Sequence, residues 1–522
     1  MKLRFVTAAM LLLASAAAQA GNELEYSGDV LLNSSTGQFA PYFIGSLNGG
    51  RVVRKNSALL DLGARVRVDR SRRFSWGAGA EVITGYSHAN YYDKVKYNSP
   101  YGHPKPIGPE YIVTKERNRP APVWIQQLYG ELKYRGVLLR VGQKDPHSAL
   151  LDESLSSGDL TRSSNARGIP GVSLGFIDFQ DIPFTSGWVQ IDGVVEYGKF
   201  TDSKFMRQQY NYFNWVLATD TYYTYKRCYF RVAPRQPLSV TLGMQTAGQF
   251  GGSSAWYSRG ILIREEHRGF RFKDVLKMFL PTQGNGNAFY EGNTLGSWDF
   301  KARYRLRDGR ELSFAFQWPW EDGSGIGRRN GWDGLWGLYY HEKAGRRAWV
   351  TGAAVEYLDF RNQSGPIHWA PGDFPGTTIT GSATGGDNYY NNDTYTSYAN
   401  YGMAIATPFL VSPIYNLDGN PVFENNRARG VHAAVRGCLG PEFDYAVKYS
   451  WQQGLGMSRR PSAHTLTDTS MLFAVGWDAR RLLPGLRADV KLAFDRGSLR
   501  GDNFGAMIGV TYSGSFNLRK GK

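Results

Sequence analysis

The chain has 522 residues, of which 14% are aromatic and 62 are glycine, and its formal net charge is +16. No apolar run reaches the roughly 18 residues that a membrane-spanning helix needs, so a helical membrane protein is not predicted. The two cysteines, Cys228 and Cys438, are too few for a disulfide framework. The sequence has no H-E-x-x-H motif and its histidines are scattered, and we predict no enzymatic activity, no metal site and no cofactor.

The first 20 residues have the layout of a secretion signal. Lys2 and Arg4 form a charged start, an apolar stretch follows, and Ala18 and Ala20 are the small residues of a cleavage site before Gly21. We therefore predict a cleaved signal peptide at 1–20 and one domain at 21–522, exported through the inner membrane.

Alternation of apolar and polar residues recurs along the chain, in the segments 23–32, 58–68, 298–320, 443–451, 486–494 and 504–518. In the segment 298–320, Trp298 and Phe300 fall on one face of a strand and Asp299 and Lys301 on the other. A charge facing hydrocarbon would cost roughly 2–4 kcal/mol at the bilayer midplane, so the charged face must line a wet lumen. The pattern predicts an all-β transmembrane antiparallel barrel. A secreted β-sandwich or propeller is the soluble alternative, but its inner face would be apolar.

Short and long connections alternate between these strands. Because outer-membrane barrels have short periplasmic turns and long extracellular loops, the alternation places both termini in the periplasm. About 17 strands can be identified directly, and an even number needs one more, which we place at 205–215. The predicted fold is a barrel of about 18 strands. Its long loops are expected at 35–57, 85–121, 143–186, 246–296, 321–334, 360–428 and 454–470.

The predicted outer loops are rich in arginine and aromatic residues. Rings mixed with Asn and Arg suit sugars, whose C–H faces pack on rings while their hydroxyl groups form hydrogen bonds. An interfacial girdle or a self-packed loop is the alternative for any one ring. Nucleic acid is a poor partner for a surface barrel, so an acidic polymer or anionic lipopolysaccharide is the expected partner of the basic residues. The candidate ligand-binding residues are Arg328, Arg329, Trp332, Trp369, Tyr389, Tyr390, Asn425 and Arg427.

Two segments carry a resemblance to a known family. The run 156–170 (SSGDLTRSSNARGIP), followed by 183–185 and 187–188, resembles the capsule assembly Wzi family in its Bacteroides-like form, as does 412–416 (SPIYN) leading through 425–427 to the strand with His432. The resemblance implies an 18-stranded outer-membrane barrel that holds capsular polysaccharide as a lectin-like anchor and not as an enzyme. Enteric members have a periplasmic helical bundle. This chain enters β-like sequence at Glu23, so no bundle is expected.

We therefore expect a monomeric outer-membrane barrel that binds or organises capsular or surface polysaccharide through its outer loops and contacts lipid and lipopolysaccharide. A porin for diffusion or export of saccharides or acidic polymers is the alternative, and a soluble β-rich hydrolase is a distant third. The sequence leaves open whether the lumen is plugged and whether Cys228 pairs with Cys438.

Overall fold

Eighteen antiparallel strands close into one barrel in the computed structural model, which describes residues 23–99, 105, 107–213, 215–279, 292–321, 330–365 and 386–517. Each strand pairs with the next along the chain, and the first, β1 (Glu23–Phe39), pairs with the last, β18 (Asn503–Asn517). A closed sheet has no free edge, which satisfies the backbone hydrogen bonds that a bilayer cannot. The predicted barrel of about 18 strands is confirmed.

The other sixteen strands follow the chain around the wall. They are β2 (Arg54–Val66), β3 (Phe74–Ser87), β4 (Val123–Tyr134), β5 (Val137–Gln143), β6 (Gly171–Phe176, resumed at Gln180–Asp181), β7 (Val189–Lys199), β8 (Tyr222–Val232), β9 (Leu238–Phe250), β10 (Gly292–Arg305), β11 (Glu311–Glu321), β12 (Gly334–His341), β13 (Gly352–Asp359), β14 (Ala428–Cys438), β15 (Phe443–Met457), β16 (Arg460–Asp478) and β17 (Leu486–Gly497).

Side chains alternate across the wall as the sequence pattern requires. On β18, Phe504, Ile508 and Phe516 are exposed on the outside. On β10, Asp299 is buried inside, while Trp298 on the opposite face is exposed. Trp298 pairs across the sheet with Trp318 of β11, so both rings lie on the outer face of the wall. The predicted polar interior and apolar exterior are confirmed.

Two local predictions about the strands are wrong. The eighteenth strand is not at 205–215, where the chain forms the helix Ser203–Gln209; it is β6, inside the stretch 143–186 that we expected to be a loop. β6 alternates, with Val172 and Leu174 facing outward and Ser173 inward, but its six residues are too short a run to stand out as a strand within a long stretch of loop-like sequence. The expected loop 454–470 instead continues β15 and β16 to a tight turn. The strands in this stretch are rich in threonine and lack the apolar face on which our prediction depended.

The long connections lie at the barrel end opposite the termini and contain their own elements. The helices are α1 (Tyr42–Gly45), α2 (Ser203–Gln209), α3 (Phe272–Phe279) and the 3₁₀ turn Pro413–Tyr415. A hairpin pairs Asn90–Tyr97 with Tyr111–Asn118, a three-stranded sheet joins Val216–Thr219, Gly252–Ser258 and Ile261–Arg268, and two-residue bridges pair Asn391–Asn392 with Thr396–Ser397 and Ala399–Asn400 with Met403–Ala404. In the described parts of the chain, no helix has the length and apolar character to cross a membrane.

Two connections fold into the barrel rather than away from it. We call residues 144–170 the inner segment, because Leu155, Asp159 and Asn165 within it are fully buried. Residues 386–427, the outer cap, lie on top of it: the Asn165 amide donates to the Ala404 carbonyl at 2.9 Å, and the Thr407 hydroxyl donates to the Ser157 carbonyl at 2.8 Å. The lumen is therefore filled, which the sequence had left open. Both cysteines are free.

Candidate functional site

A pocket of about 430 Å³ opens among the long connections. Its walls come from four of them: the β1–β2 connection, the β3–β4 connection, the loop with α2, and the outer cap, with the inner segment at the bottom. Arg119, Ala121 and Lys204 at its rim are exposed to solvent. The volume falls within the range of small-molecule binding sites in proteins.

The pocket carries uncompensated positive charge. Four of its basic residues, Arg54, Arg119, Arg167 and Lys204, form no ion pair with any carboxylate of the described chain, and no Asp or Glu in those parts of the chain lines the pocket. The fifth, Arg51, is neutralised from below by Asp145, at 2.6 Å, and by carboxylates of the barrel wall. A concave site that is lined by positive charges and no negative ones attracts and concentrates anions.

Arg167 is held among aromatic rings at the base of the pocket. Its guanidinium carbon lies 4.6 Å from the centroid of the Tyr401 ring and 5.4 Å from that of Trp124. Burial lowers the pKa of Arg167, because the charged form has lost water. The ring faces offset part of this cost through cation–π attraction.

Three buried polar atoms of the pocket lack a hydrogen-bond partner among the described residues: Arg167 Nε, Asn118 Nδ2 and Asn400 Oδ1. The other ends of both amides are used, since Asn400 Nδ2 donates to the Arg167 carbonyl at 2.9 Å and Asn118 Oδ1 lies 3.5 Å from Arg54. A buried polar group without a partner costs about 1–3 kcal/mol. Two free donors and one free acceptor around one cavity therefore match a ligand that supplies oxygen atoms and hydroxyl groups.

With this geometry defined, the fold can be compared with known proteins. No protein-family model matches the sequence, and no characterised protein sequence does. One solved structure, described as Wzi, an outer membrane protein involved in group 1 capsule assembly in Escherichia coli and a carbohydrate binding beta-barrel, superposes with a TM-score of 0.54 over 95% of this chain and 86% of its own, at 13% identity. This barrel is similar in fold to Wzi.

Other solved barrels superpose less well. OccAB2 of Acinetobacter baumannii has a TM-score of 0.47 at 10% identity, and OccK5 of Pseudomonas aeruginosa has 0.45 at 9%; each covers 95% of this chain and 98% of its own. The similarity to Wzi confirms the predicted family resemblance at the level of the fold.

Of the eight predicted ligand-binding residues, the five that the structure describes do not line the outer pocket. Arg328, Arg329 and Trp369 lie outside the described residues, and Trp332 is exposed on the β11–β12 connection. Asn425 accepts a hydrogen bond from the Gly456 amide and Arg427 donates to the Arg361 carbonyl, so both hold the base of the outer cap. Their ligand-binding role stays a prediction.

The tyrosine cluster of the outer cap is buried, contrary to our expectation of exposed rings. Tyr389 and Tyr390 are 1% and 4% exposed. The Tyr390 hydroxyl donates to the Leu160 carbonyl at 2.7 Å, and the Tyr389 hydroxyl donates to Asp333 at 3.2 Å. The rings pack against the inner segment because the outer cap folds into the barrel, and in this arrangement they present no face to a sugar.

Sequence reasoning missed the residues that do line the pocket. Arg54, Arg119, Arg167 and Lys204 are far apart in the chain and belong to no motif that a spacing rule detects. The one available signal was Arg167, which lies in the 156–170 run that resembles the Wzi family.

The inner segment blocks the lumen below the pocket. Asp159 accepts hydrogen bonds from Gln245 of β9 at 3.0 Å and from Gln317 of β11 at 2.9 Å. Arg162 pairs with Glu196 of β7 at 2.9 Å, and Asp152 pairs with Arg436 of β14 at the same distance. The segment thus spans the barrel from β7 to β14 and is held at both sides.

A second cavity, of about 700 Å³, opens at the end of the barrel where the termini lie. It is lined by charged wall residues that include Arg65 and Glu81. Arg51 lines this cavity as well as the outer pocket, so its side chain and the three carboxylates around it separate the two spaces. Among the described residues, no group of three or more His, Cys, Asp or Glu side chains is arranged to hold a metal ion.

Proposed function

We propose that this protein lies in the outer membrane and holds an acidic surface polysaccharide at the cell surface, by binding segments of it in the outer pocket. The observation that carries the proposal is the set of four uncompensated cations that line one open cavity, with three partnerless polar atoms buried in its wall. A purely apolar ligand would leave both features unexplained, and a neutral polar ligand would leave the cations without a counter-charge.

The pocket supplies the contacts that an acidic saccharide needs. A carboxylate or another anionic substituent would accept charge-assisted hydrogen bonds from Arg167 Nε and from the rim cations Arg119 and Lys204. Sugar hydroxyl groups can donate to Asn400 Oδ1 and accept from Asn118 Nδ2. The carbohydrate binding stated for Wzi is in keeping with this class of ligand.

The exposed outer wall supports the membrane location. Its lipid-facing side chains include Leu32, Leu62, Leu242 and Val490, each more than a third exposed although apolar. A continuous apolar belt around a closed barrel with a polar interior is the arrangement that a bilayer stabilises. The filled lumen favours an anchoring role over transport.

Retention of polysaccharide by cells tests the proposal. A deletion strain would be complemented with the native protein, with the rim variant Arg119→Ala/Lys204→Ala, and with the matched control Arg459→Ala/Arg460→Ala. The control removes the same charge from the loop end, at a turn outside the pocket. We expect the rim variant to release polymer into the medium while the control retains it. Equal retention by the two variants would contradict the proposal.

A porin is the second candidate, and one observation favours it. The outer pocket and the opposite cavity approach each other at Arg51, so a path through the wall side formed by β1 to β4 is closed by a single ion-pair cluster. If that cluster opens, small solutes could pass through the barrel. Planar-bilayer conductance separates a porin from an anchor.

A further inference from the structure

Helix α3 (Phe272–Phe279), in the β9–β10 connection, lies on the outside of the barrel wall. The Tyr197 hydroxyl donates to the Val275 carbonyl at 2.9 Å. Tyr197 points outward, since its neighbour Glu196 pairs with Arg162 in the lumen. The contact therefore places α3 on the outer face of β7.

The side chain of Met278 packs into a gap on the outer surface of the barrel wall. A Cβ on Gly248 would come within 2.6 Å of the Met278 methyl carbon, and one on Gly292 within 3.0 Å of its sulfur. Two outward-facing positions without side chains thus make room for Met278, which is 4% exposed. A side chain at either position would displace the end of the Met278 side chain from the wall.

Lys226 of β8 also points outward and is satisfied by the same helix. Its ammonium group donates to the Met278 carbonyl and, at 3.1 Å, to the Phe279 carbonyl. The last carbonyls of a helix have no partner within the helix and attract a cation. Lys226 therefore finds its hydrogen-bond partners at the end of the helix and needs no water on the outer side of the wall.

The side of α3 that faces away from the barrel is apolar and exposed. Phe272, Leu276 and Phe279 are 71%, 61% and 47% exposed. At 100° per residue, all three lie within a 60° arc of the helix, opposite Asp274 and Met278. The flank between these two faces carries Lys273 and Lys277.

The helix lies at the upper border of the apolar belt. Met244 of β9 pairs with Trp298, whose ring is exposed on the outer face of the wall. Gly248, which receives Met278, is four residues further toward the loops on the same strand and the same face. Leu238 of β9 pairs with Tyr304 near the turn end of the barrel. Gly248 is ten residues further along β9, which is about 25 Å along the barrel axis for a strand tilted by about 40° and equals the height of the apolar band, so the exposed face of α3 lies where acyl chains meet headgroups.

We propose that α3 is an interfacial helix whose Phe272, Leu276 and Phe279 side chains insert into the outer leaflet of the membrane. This inference rests on the membrane location and is independent of polysaccharide binding. The charge on Lys273 complements the phosphate groups at the same level. The insertion would fix the β9–β10 connection, whose Trp256 indole donates to the Asp393 carbonyl of the outer cap at 3.0 Å.

Fluorescence quenching in vesicles tests the depth of the helix. Single cysteines would replace Leu276, Leu242 and Thr114 in a Cys228→Ala/Cys438→Ala background and carry an environment-sensitive NBD label. Leu242 is an exposed belt residue of β9, and Thr114 is exposed on an outer hairpin. The proteins would be reconstituted in phosphatidylcholine vesicles that contain lipids with a nitroxide either near the headgroup or near the end of the acyl chain.

We expect the label at position 276 to be quenched several-fold more than the label at position 114, and more strongly by the shallow nitroxide than by the deep one. The label at position 242 should show the opposite depth preference. Quenching at position 276 that is no stronger than at position 114 would place the helix in water and overturn the proposal. A deep preference equal to that at position 242 would also overturn it. Circular dichroism of each labelled protein confirms that the barrel is folded.

Discussion

The guanidinium of Arg167 lies 4.6 Å from the centroid of the Tyr401 ring, which joins the inner segment to the outer cap at the base of the pocket. This cation has no carboxylate partner in the described chain, and its Nε has no hydrogen-bond partner there. Such a group lowers stability unless something pairs with it. We infer that the fold tolerates Arg167 because it serves a ligand.

Replacing Arg167 by methionine should separate binding from stability. Arg167→Met keeps the bulk between the rings and removes the buried charge, so the melting temperature in detergent should stay the same or rise. Affinity for an acidic polysaccharide should fall about tenfold or more, the equivalent of one lost charge-assisted hydrogen bond. Thermal unfolding and equilibrium binding measure the two effects. A large fall in melting temperature would show that Arg167 is a structural residue.

Planar-bilayer conductance should distinguish an anchor from a porin. The inner segment fills the lumen and Arg51 closes the path beside it. The native barrel should therefore show little steady current. Arg51→Ala should raise the current, because the outer pocket and the opposite cavity would then connect. The variant Arg361→Ala, in a loop outside both cavities, is the control and should behave like the native barrel. A large steady current through the native barrel would contradict an anchoring role.

The outer loops should be more stable in mild acid than at neutral pH. Asp333 accepts backbone N–H groups of Asn362 and Gln363 at 3.0 and 2.7 Å, and burial raises its pKa to about 6. A raised pKa means that its contribution to stability is complete below about pH 4 and is lost as the pH rises through 6.

The variant Asp333→Asn cannot titrate at this position. Its stability relative to the native protein should therefore improve by up to about 3 kcal/mol between pH 4 and pH 7. Chemical unfolding of both proteins across this range measures the difference, and the comparison cancels the other titrating groups. A difference that does not change with pH would show that the Asp333 pKa is not raised.

Arg328 and Arg329 provide a prediction from the sequence alone, since they lie outside the described residues. If their loop binds anionic sugar, Arg328→Ala/Arg329→Ala should reduce the amount of polymer that cells retain. The rim variant Arg119→Ala/Lys204→Ala provides the comparison, measured in the same strain by assay of cell-bound and released polysaccharide. Unchanged retention would assign this charge to lipopolysaccharide or to no partner.

The barrel was predictable because one physical rule acts along nearly every strand. Lipid on one side and water on the other impose a period of two, which Trp298 to Arg303 display clearly. The rule fails where strands leave the membrane, as at 460–470, and a strand as short as 171–176 follows the rule for too few residues to be recognised. The requirement for an even number gave the correct count of strands, but we placed the additional strand at 205–215, which is wrong.

The pocket was not predictable by the same reasoning. Its cations come from four connections and meet only because the outer cap folds inward over the inner segment. The same inward folding buries Tyr389 and Tyr390. The composition of their loop, which is rich in aromatic and polar residues, had suggested that these rings are exposed. Local composition does not state whether a loop packs on itself, so the lining of a loop-built pocket depends on contacts far apart in the chain.

The most direct measurement is equilibrium binding of an acidic surface polysaccharide, and of the same polymer with its carboxyl groups reduced, to the purified barrel. We predict that the reduced polymer binds at least about tenfold more weakly, because it lacks the anion that Arg167, Arg119 and Lys204 would bind. The difference should become smaller in Arg119→Ala/Lys204→Ala and disappear when Arg167→Met is added. Equal affinity of the native barrel for both polymers, or no binding of either, would contradict the account.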